Sequence, residues 1–244
     1  MKQYGLIGFP LAHSASARYF NDKFAHEQII DCQYKLFELQ SIDELPHLLA
    51  DNPDLRGFNV TIPYKQQIIP LLTHLSEQAQ WVGAVNCVRR NGDQLTGYNT
   101  DVMGLRAALA QLLGVDVPER ALVLGTGGAS QAVQYVLAEM GVEFDLVSRD
   151  PAKGNFTYDN LPCDEVATHR LIINTSPVGM FPHADAAPRI PYAFVTPDHY
   201  LLDLVYNPAL TSFLDYGQQR GAHILGGQTM LETQAEASWI IWNS

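Results

Sequence analysis

Cysteine is scarce in this chain: 3 of 244 residues, Cys32, Cys87 and Cys163, widely spaced and outside any C-x-x-C pattern. That excludes a disulfide framework and a thiolate zinc site, and free thiols suit a reducing compartment. The eight histidines form no H-x-x-x-H pair, so no metal is expected. No stretch approaches the ~20 consecutive apolar residues that span a bilayer. The apolar start at residues 5–9 is cut short by Pro10 and His13 and reads as a strand and loop, not a secretory signal. A cytoplasmic protein without membrane contact is the expectation. Positive charge is also short, with 15 Lys+Arg against 26 Asp+Glu and a net charge of −11. An acidic chain repels phosphate backbones, which excludes nucleic acid as the main partner, although a locally positive pocket can still take a small anion. Charged residues make up 17% and hydrophobic residues 47%, a balance that excludes disorder. The 18 Gly and 14 Pro exclude a fibrous or low-complexity chain. The length suits one large or two small domains.

What is present is an alternation of strands and helices. Strands are expected at residues 4–8, 33–38 and 57–62, with helices at 16–26 and 42–49. A hairpin is expected at 84–89 and 94–97 around Asn91-Gly92, a strong turn signal. From Thr100 onward, Val102, Leu105, Leu109 and Leu112 recur at helical spacing. A second region opens with Ala121-Leu122-Val123-Leu124, an apolar run typical of strands buried on both faces of a parallel sheet. A helix at 131–140 and a strand at 143–148 complete one βαβ unit. Further strands are expected at 171–174 and 200–204, and helices at 213–220 and 229–242.

Between that strand and its helix stands Gly125-Thr126-Gly127-Gly128-Ala129-Ser130. Glycines let a phosphate approach backbone N–H groups at a helix N-terminus, although the third fingerprint glycine is replaced by Ser130. A tight turn without a ligand is the competing reading. The next strand ends in Ser148-Arg149-Asp150. Ser148, Arg149 and Lys153 suit the 2′-phosphate of NADP, whereas Asp150 works against it and keeps NAD open.

Three polar motifs interrupt the strand and helix logic: Asn59-Val60-Thr61-Ile62-Pro63-Tyr64-Lys65, Gly83-Ala84-Val85-Asn86 and Gly97-Tyr98-Asn99-Thr100-Asp101. Singly they also read as a solvated lysine, a turn amide and a helix cap. With His13-Ser14-Ala15-Ser16 and Gly227…Gln234, and in this order, the chain resembles the shikimate dehydrogenase family over nearly its whole length.

The resemblance implies reversible reduction of 3-dehydroshikimate to shikimate with NADPH, in chorismate and aromatic amino-acid biosynthesis. It implies that Lys65 is the catalytic acid–base and Asp101 its partner. Ser14, Ser16 and Tyr206 would take the substrate carboxylate, and Thr61, Asn86, Asp101 and Gln234 the ring hydroxyls. It places residues 174–180, including Thr175, with Leu204 and Gly227 near the nicotinamide, and Glu77 at a position sometimes assigned to the cofactor. Departures from the family pattern are Ala17 and Phe20, where proline and histidine are usual, and Asp150 for threonine or serine. Met230, Leu231, Trp239 and Trp242 read as core. The expected architecture is α/β. Residues 1–101, completed by 225–244, form a substrate domain, and 102–224 a doubly wound, Rossmann-like cofactor domain. The competing functions are a quinate/shikimate dehydrogenase using NAD and a non-catalytic NADP(H)- or shikimate-sensing module. The protein would act as a monomer or homodimer.

Overall fold

The computed structural model describes residues 1–12 and 14–244; His13, part of the H-S-A-S motif, lies outside the described residues. Among the described residues the strands form two six-stranded sheets. The chain divides into two compact units, Met1–Thr100 with Ala235–Ser244, and Asp101–Gln234.

The first unit runs β1 (Lys2–Gly8), α1 (Ser16–His26), β2 (Cys32–Glu38), α2 (Leu45–Asp51), β3 (Leu55–Val60), β4 (His74–Leu75), α3 (Glu77–Val82), β5 (Cys87–Asn91) and β6 (Gln94–Tyr98). The strand order is β2-β1-β3-β5-β6-β4. β1 pairs in parallel with β2 on one side and β3 on the other, so the chain direction switches between the C-terminal ends of β1 and β3. β5 is antiparallel to β3 and β6, with Cys87 opposite both Asn59 and Tyr98. The start of β5 and the end of β6 therefore share one sheet edge with the exits of β1 and β3. On one side Ile7, Phe58, Val60, Ile68, Val85 and Val88 form a buried hydrophobic cluster. On the other, Trp242 stacks on Tyr4 at 5.0 Å between centroids, Phe20 stacks on Tyr34 at 4.5 Å, and Trp242 Nε1 donates to Val88 O at 3.0 Å. Gly57 leaves the room that the Trp242 indole fills.

The second unit runs α4 (Asp101–Leu113), β7 (Arg120–Leu124), α5 (Gly128–Glu139), β8 (Glu143–Ser148), β9 (Phe156–Thr157), α6 (Cys163–Thr168), β10 (Leu171–Asn174), β11 (Tyr200–Asp203), α7 (Ser212–Gln218), β12 (His223–Leu225) and α8 (Gln228–Trp242), whose last residues belong to the first unit. Its strand order is β12-β11-β10-β7-β8-β9, every pairing parallel. β10 and β11 are buried at every position, as expected of strands covered on both faces. The direction switches between β7 and β10, and such a switch opens a crevice at the strands' carboxyl ends.

Several local expectations are corrected. The hairpin loop is Gly92-Asp93, because Asn91 still pairs with Gln94. Gly92 takes φ 59°, which suits glycine at the first central position of a type II′ loop. The helix expected at 42–49 is a 3₁₀ turn at Ile42–Glu44, capped by Ser41, followed by α2. α5 begins at Gly128, three residues before the expected start. No helix is long and apolar enough to cross a membrane among the described residues.

Candidate active site

At the first switch point, β1 runs into the Ser14–Ser16 loop and β3 into Thr61 and Lys65. Thr61 N donates to Ile7 O at 2.9 Å, and Phe9 N to Ile62 O at 3.0 Å, so the two exits are tied together. Gly8 leaves the space taken by the Thr61 methyl. Lys65 is half-buried, and its carbonyl accepts from Val85 N at 2.8 Å, fixing it beside the strand start that carries Asn86. Asn86 is 3% exposed; its Oδ1 accepts from Thr100 N at 2.7 Å and Thr100 Oγ1 at 3.2 Å. Ser14 Oγ accepts from Ser16 N at 3.3 Å, at the start of α1. Thus Ser14, Ser16, Thr61, Lys65 and Asn86 lie on one sheet edge. Glu77 is exposed in the first turn of α3, where the helix dipole favours a carboxylate.

Behind this edge is a buried polar network that the sequence reading did not single out. Tyr34 Oη donates to Asn59 Oδ1 at 2.9 Å and is hydrogen-bonded to Ser16. Asn59 Nδ2 donates to Asn86 O at 3.1 Å and to Ser238 Oγ at 2.8 Å. Ser238 Oγ lies 3.2 Å from Thr100 Oγ1. Burial drives the Tyr34 phenol far above its ordinary range, so it stays a neutral donor. Burial likewise pushes the Cys87 thiol up to about 12, so it stays protonated. Asn59 was visible as an amide inside the apolar strand G-F-N-V. Ser238 was visible as the residue one helical turn beyond Gln234.

At the second switch point, Gly125 takes φ 115°, a conformation L side chains rarely adopt. A Cβ there would stand 2.7 Å from Thr175 Oγ1, which donates to Leu124 O at 2.9 Å. The exits of β7 and β10 therefore close on each other. Gly127 is the N-cap of α5 and offers no side-chain cap, and among the described residues a Cβ on it would meet nothing within 4 Å. An uncapped helix start facing open space fits a nucleotide phosphate, with Gly125, Thr126, Gly127, Gly128, Ala129 and Ser130 forming the cradle. Thr126 Oγ1 lies 3.4 Å from Ser148 Oγ at the end of β8, and Arg149 is exposed beside it. Asp150 faces Lys153 at 3.7 Å, and its Oδ1 accepts from Ala152 N at 3.0 Å. With both side chains about half exposed, that ion pair is weak.

Leu204 and Gly227 lie against each other. Gly227 N donates to Val205 O at 3.1 Å, and a Cβ on Gly227 would strike the Leu204 carbonyl. Tyr206 follows β11 and is half-buried. Asp101, 2% exposed, opens α4. Gln234 lies on α8, one turn beyond Met230, whose carbonyl would be 2.5 Å from a Cβ on Gly104. Met230, Leu231 and Trp242 are buried. Asp145, Glu165 and His169 cluster within 4.8 Å, but Arg120 bonds Asp145 at 3.0 Å and lies 3.6 Å from Glu165. The Arg120 guanidinium thus lies against both carboxylates and offsets part of their charge.

Residues 6–88 match the family described as the shikimate dehydrogenase substrate binding domain. A protein from Halothermothrix orenii, named shikimate dehydrogenase (NADP(+)), is 36% identical over 98% of this chain and 89% of its own length. One from Clostridium beijerinckii with the same name is 36% identical over 99% of this chain and 92% of its own. The chain belongs to the shikimate dehydrogenase family. Among solved structures of the family, shikimate 5-dehydrogenase from Thermus thermophilus, in complex with NADP(H) and shikimate, gives a TM-score of 0.85 at 29% identity, covering 99% of this chain and 93% of that one. Quinate dehydrogenase from Corynebacterium glutamicum, in complex with NAD, gives 0.88 at 27% identity, with the same coverages.

Proposed function

We propose that this chain is an NADP-dependent shikimate dehydrogenase, interconverting 3-dehydroshikimate and shikimate on the route to chorismate and the aromatic amino acids. The observation that carries this reading is the 36% identity, over nearly the full length, with relatives named shikimate dehydrogenase (NADP(+)). The first unit with the C-terminal helix serves as the substrate domain, and the all-parallel second sheet serves the cofactor. The uncapped α5 start and the Gly125–Ser130 cradle support cofactor placement there.

Bound at that cradle, NADPH supplies the hydride that reduces the ring ketone, and NADP takes it back in the reverse direction. The Lys65 ammonium gives its proton to the oxygen that becomes the hydroxyl and recovers it on oxidation. Asp101 shares that hydroxyl and keeps Lys65 aligned with it. Ser14 and Ser16, at the start of α1, donate to the substrate carboxylate together with Tyr206, where the helix dipole favours an anion. Thr61, Asn86 and Gln234 read the remaining hydroxyls. Ser148, Arg149 and Lys153 hold the 2′-phosphate, and Thr175, Leu204 and Gly227 line the nicotinamide. Glu77 stands at a further cofactor position.

The protein works in the cytoplasm as a monomer or homodimer, without nucleic-acid or membrane partners. A second reading, oxidation of quinate with NAD, draws on Asp150 and on the likeness to quinate dehydrogenase. Initial rates with shikimate and quinate, each with NADP and NAD, separate the two. The first reading expects shikimate with NADP to be fastest. Faster turnover of quinate with NAD overturns it, and cofactor binding without turnover favours a sensor.

A further inference from the structure

Asp203, the last residue of β11, is a carboxylate with no exposed surface and, among the described residues, no cation bonded to it. The bonds it takes there come from neutral donors. Asn174 Nδ2 reaches Oδ1 at 3.0 Å, Val205 N reaches Oδ1 at 3.0 Å, and Thr211 Oγ1 reaches Oδ2 at 2.6 Å. Burying a charge without a counter-ion is costly, and a hydrophobic residue would avoid that cost. What the carboxylate offers instead is three-way attachment.

Each donor opens a different segment. Asn174 ends β10, opposite Asp203 in register, and its Oδ1 accepts from Ser176 N at 3.1 Å and Ser176 Oγ at 2.7 Å. The same side chain donates to Val178 O at 3.2 Å, so it shapes the whole 174–178 turn. Val205 N lies two residues past Asp203, the reach of an Asx turn, and bends the chain one residue before Tyr206. Thr211 is the N-cap of α7, its Oγ1 accepting from Leu214 N at 3.3 Å. Phe181 N donates to Asn207 O at 3.2 Å, joining the two turns again beyond Tyr206.

We propose that Asp203 is a positioning residue: its carboxylate locks the turns after β10 and β11 together and thereby sets where Tyr206 and the Leu204 backbone present themselves to substrate and cofactor. The part given to Tyr206 rests on the function proposed above. The neighbouring titratable group is the Tyr192 phenol, which is itself bonded to Pro188 O at 2.9 Å. Burial raises the Asp203 carboxyl to about 6, so near neutral pH it is ionised and accepts all three bonds.

A double-mutant cycle tests this. Wild type, Asp203→Asn, Tyr206→Phe and the double variant are assayed for shikimate oxidation with NADP, alongside thermal unfolding. Asp203→Asn is expected to raise the KM for shikimate about tenfold, the scale of losing charge-assisted positioning, and by less than about twofold once Tyr206 is already phenylalanine. A residue that only supports the fold would lower the melting temperature and the active fraction while leaving KM unchanged. An unchanged KM, or the same factor in both backgrounds, overturns the proposal. If Asp203→Asn does not fold, Thr211→Val, which removes a single donor, must show the same dependence on Tyr206. If wild type does not oxidise shikimate, the functional reading fails on its own. Fluorescence titration with NADPH then decides the positioning role: an unchanged Kd in Asp203→Asn or Thr211→Val overturns it, and roughly threefold weaker binding supports it.

Discussion

Two glycines of one turn respond to the same substitution in opposite ways. In Gly125→Ala the new Cβ must accept φ 115° and lies 2.7 Å from Thr175 Oγ1. Holding an L residue in such a conformation costs about 1–3 kcal/mol. Displacing Thr175 adds the loss of its bond to Leu124 O, about 1 kcal/mol. The total, about 2–4 kcal/mol, lowers the melting temperature by roughly 4–16 °C at about 2–4 °C per kcal/mol. Gly127→Ala is different, since φ is −84° and a Cβ meets nothing within 4 Å. Alanine at an N-cap in place of glycine costs under about 1 kcal/mol, so the melting temperature moves by less than about 4 °C. A methyl group on Gly127 nevertheless stands where a phosphate must approach the α5 start, and NADPH binding weakens about tenfold or more. Differential scanning fluorimetry and NADPH fluorescence titration on both variants read the two effects separately. Wild-type NADPH affinity in Gly127→Ala refutes the phosphate cradle, and an undisturbed melting temperature in Gly125→Ala refutes the closure of β7 on β10.

Trp242→Ala removes the indole that stacks on Tyr4 and bonds Val88 O, and urea unfolding should show a loss of about 3–5 kcal/mol; a loss under about 1 kcal/mol contradicts that core assignment. Asp203 supplies a pH dependence of known sign. Its folded value of about 6 exceeds its ordinary 3.8, so its stabilising contribution is complete below about 3.8 and is lost as pH rises through about 6. Relative to Asp203→Asn, wild type should therefore lose about 2–3 kcal/mol in urea unfolding between pH 4 and pH 7; parallel curves contradict it. Asp150→Asn removes a carboxylate beside the expected 2′-phosphate, leaving Lys153 unpaired. The preference for NADP over NAD in kcat/KM should rise about fivefold, the scale of a screened surface repulsion, and an unchanged ratio counts against Asp150 facing that phosphate.

The βαβ unit from β7 to β8 was legible because its signals are local: an apolar run, a glycine turn, helical periodicity and a second run. The sheet edge carrying Thr61, Lys65 and Asn86 was legible through motifs whose polar residues interrupt apolar strands. β4, β9 and β12 were not, since two or three residues carry no period and become strands only by pairing with β6, β8 and β11. The hairpin loop was displaced by one because pairing across Asn91 and Gln94 outweighs the local turn preference. The start of α5 was hidden by Gly128-Ala129-Ser130, in which only alanine favours a helix. The Tyr34–Asn59–Ser238 network joins residues 25 and 179 positions apart, a proximity that no local pattern contains. Asp203, inside the strand expected at 200–204, carries no local signal of the bonds it takes from Asn174 and Thr211.

Proton transfer by Lys65 in NADP-dependent shikimate oxidation underlies the function proposed above. Initial rates for wild type and Lys65→Ala, followed by absorbance of the reduced nicotinamide with NADPH affinity measured in parallel, test it most directly. Strong wild-type turnover is expected, with a fall in kcat of about 10²–10⁴ in the variant and KM and cofactor binding little changed. A wild type without turnover, or a Lys65→Ala variant with near-normal kcat, contradicts it.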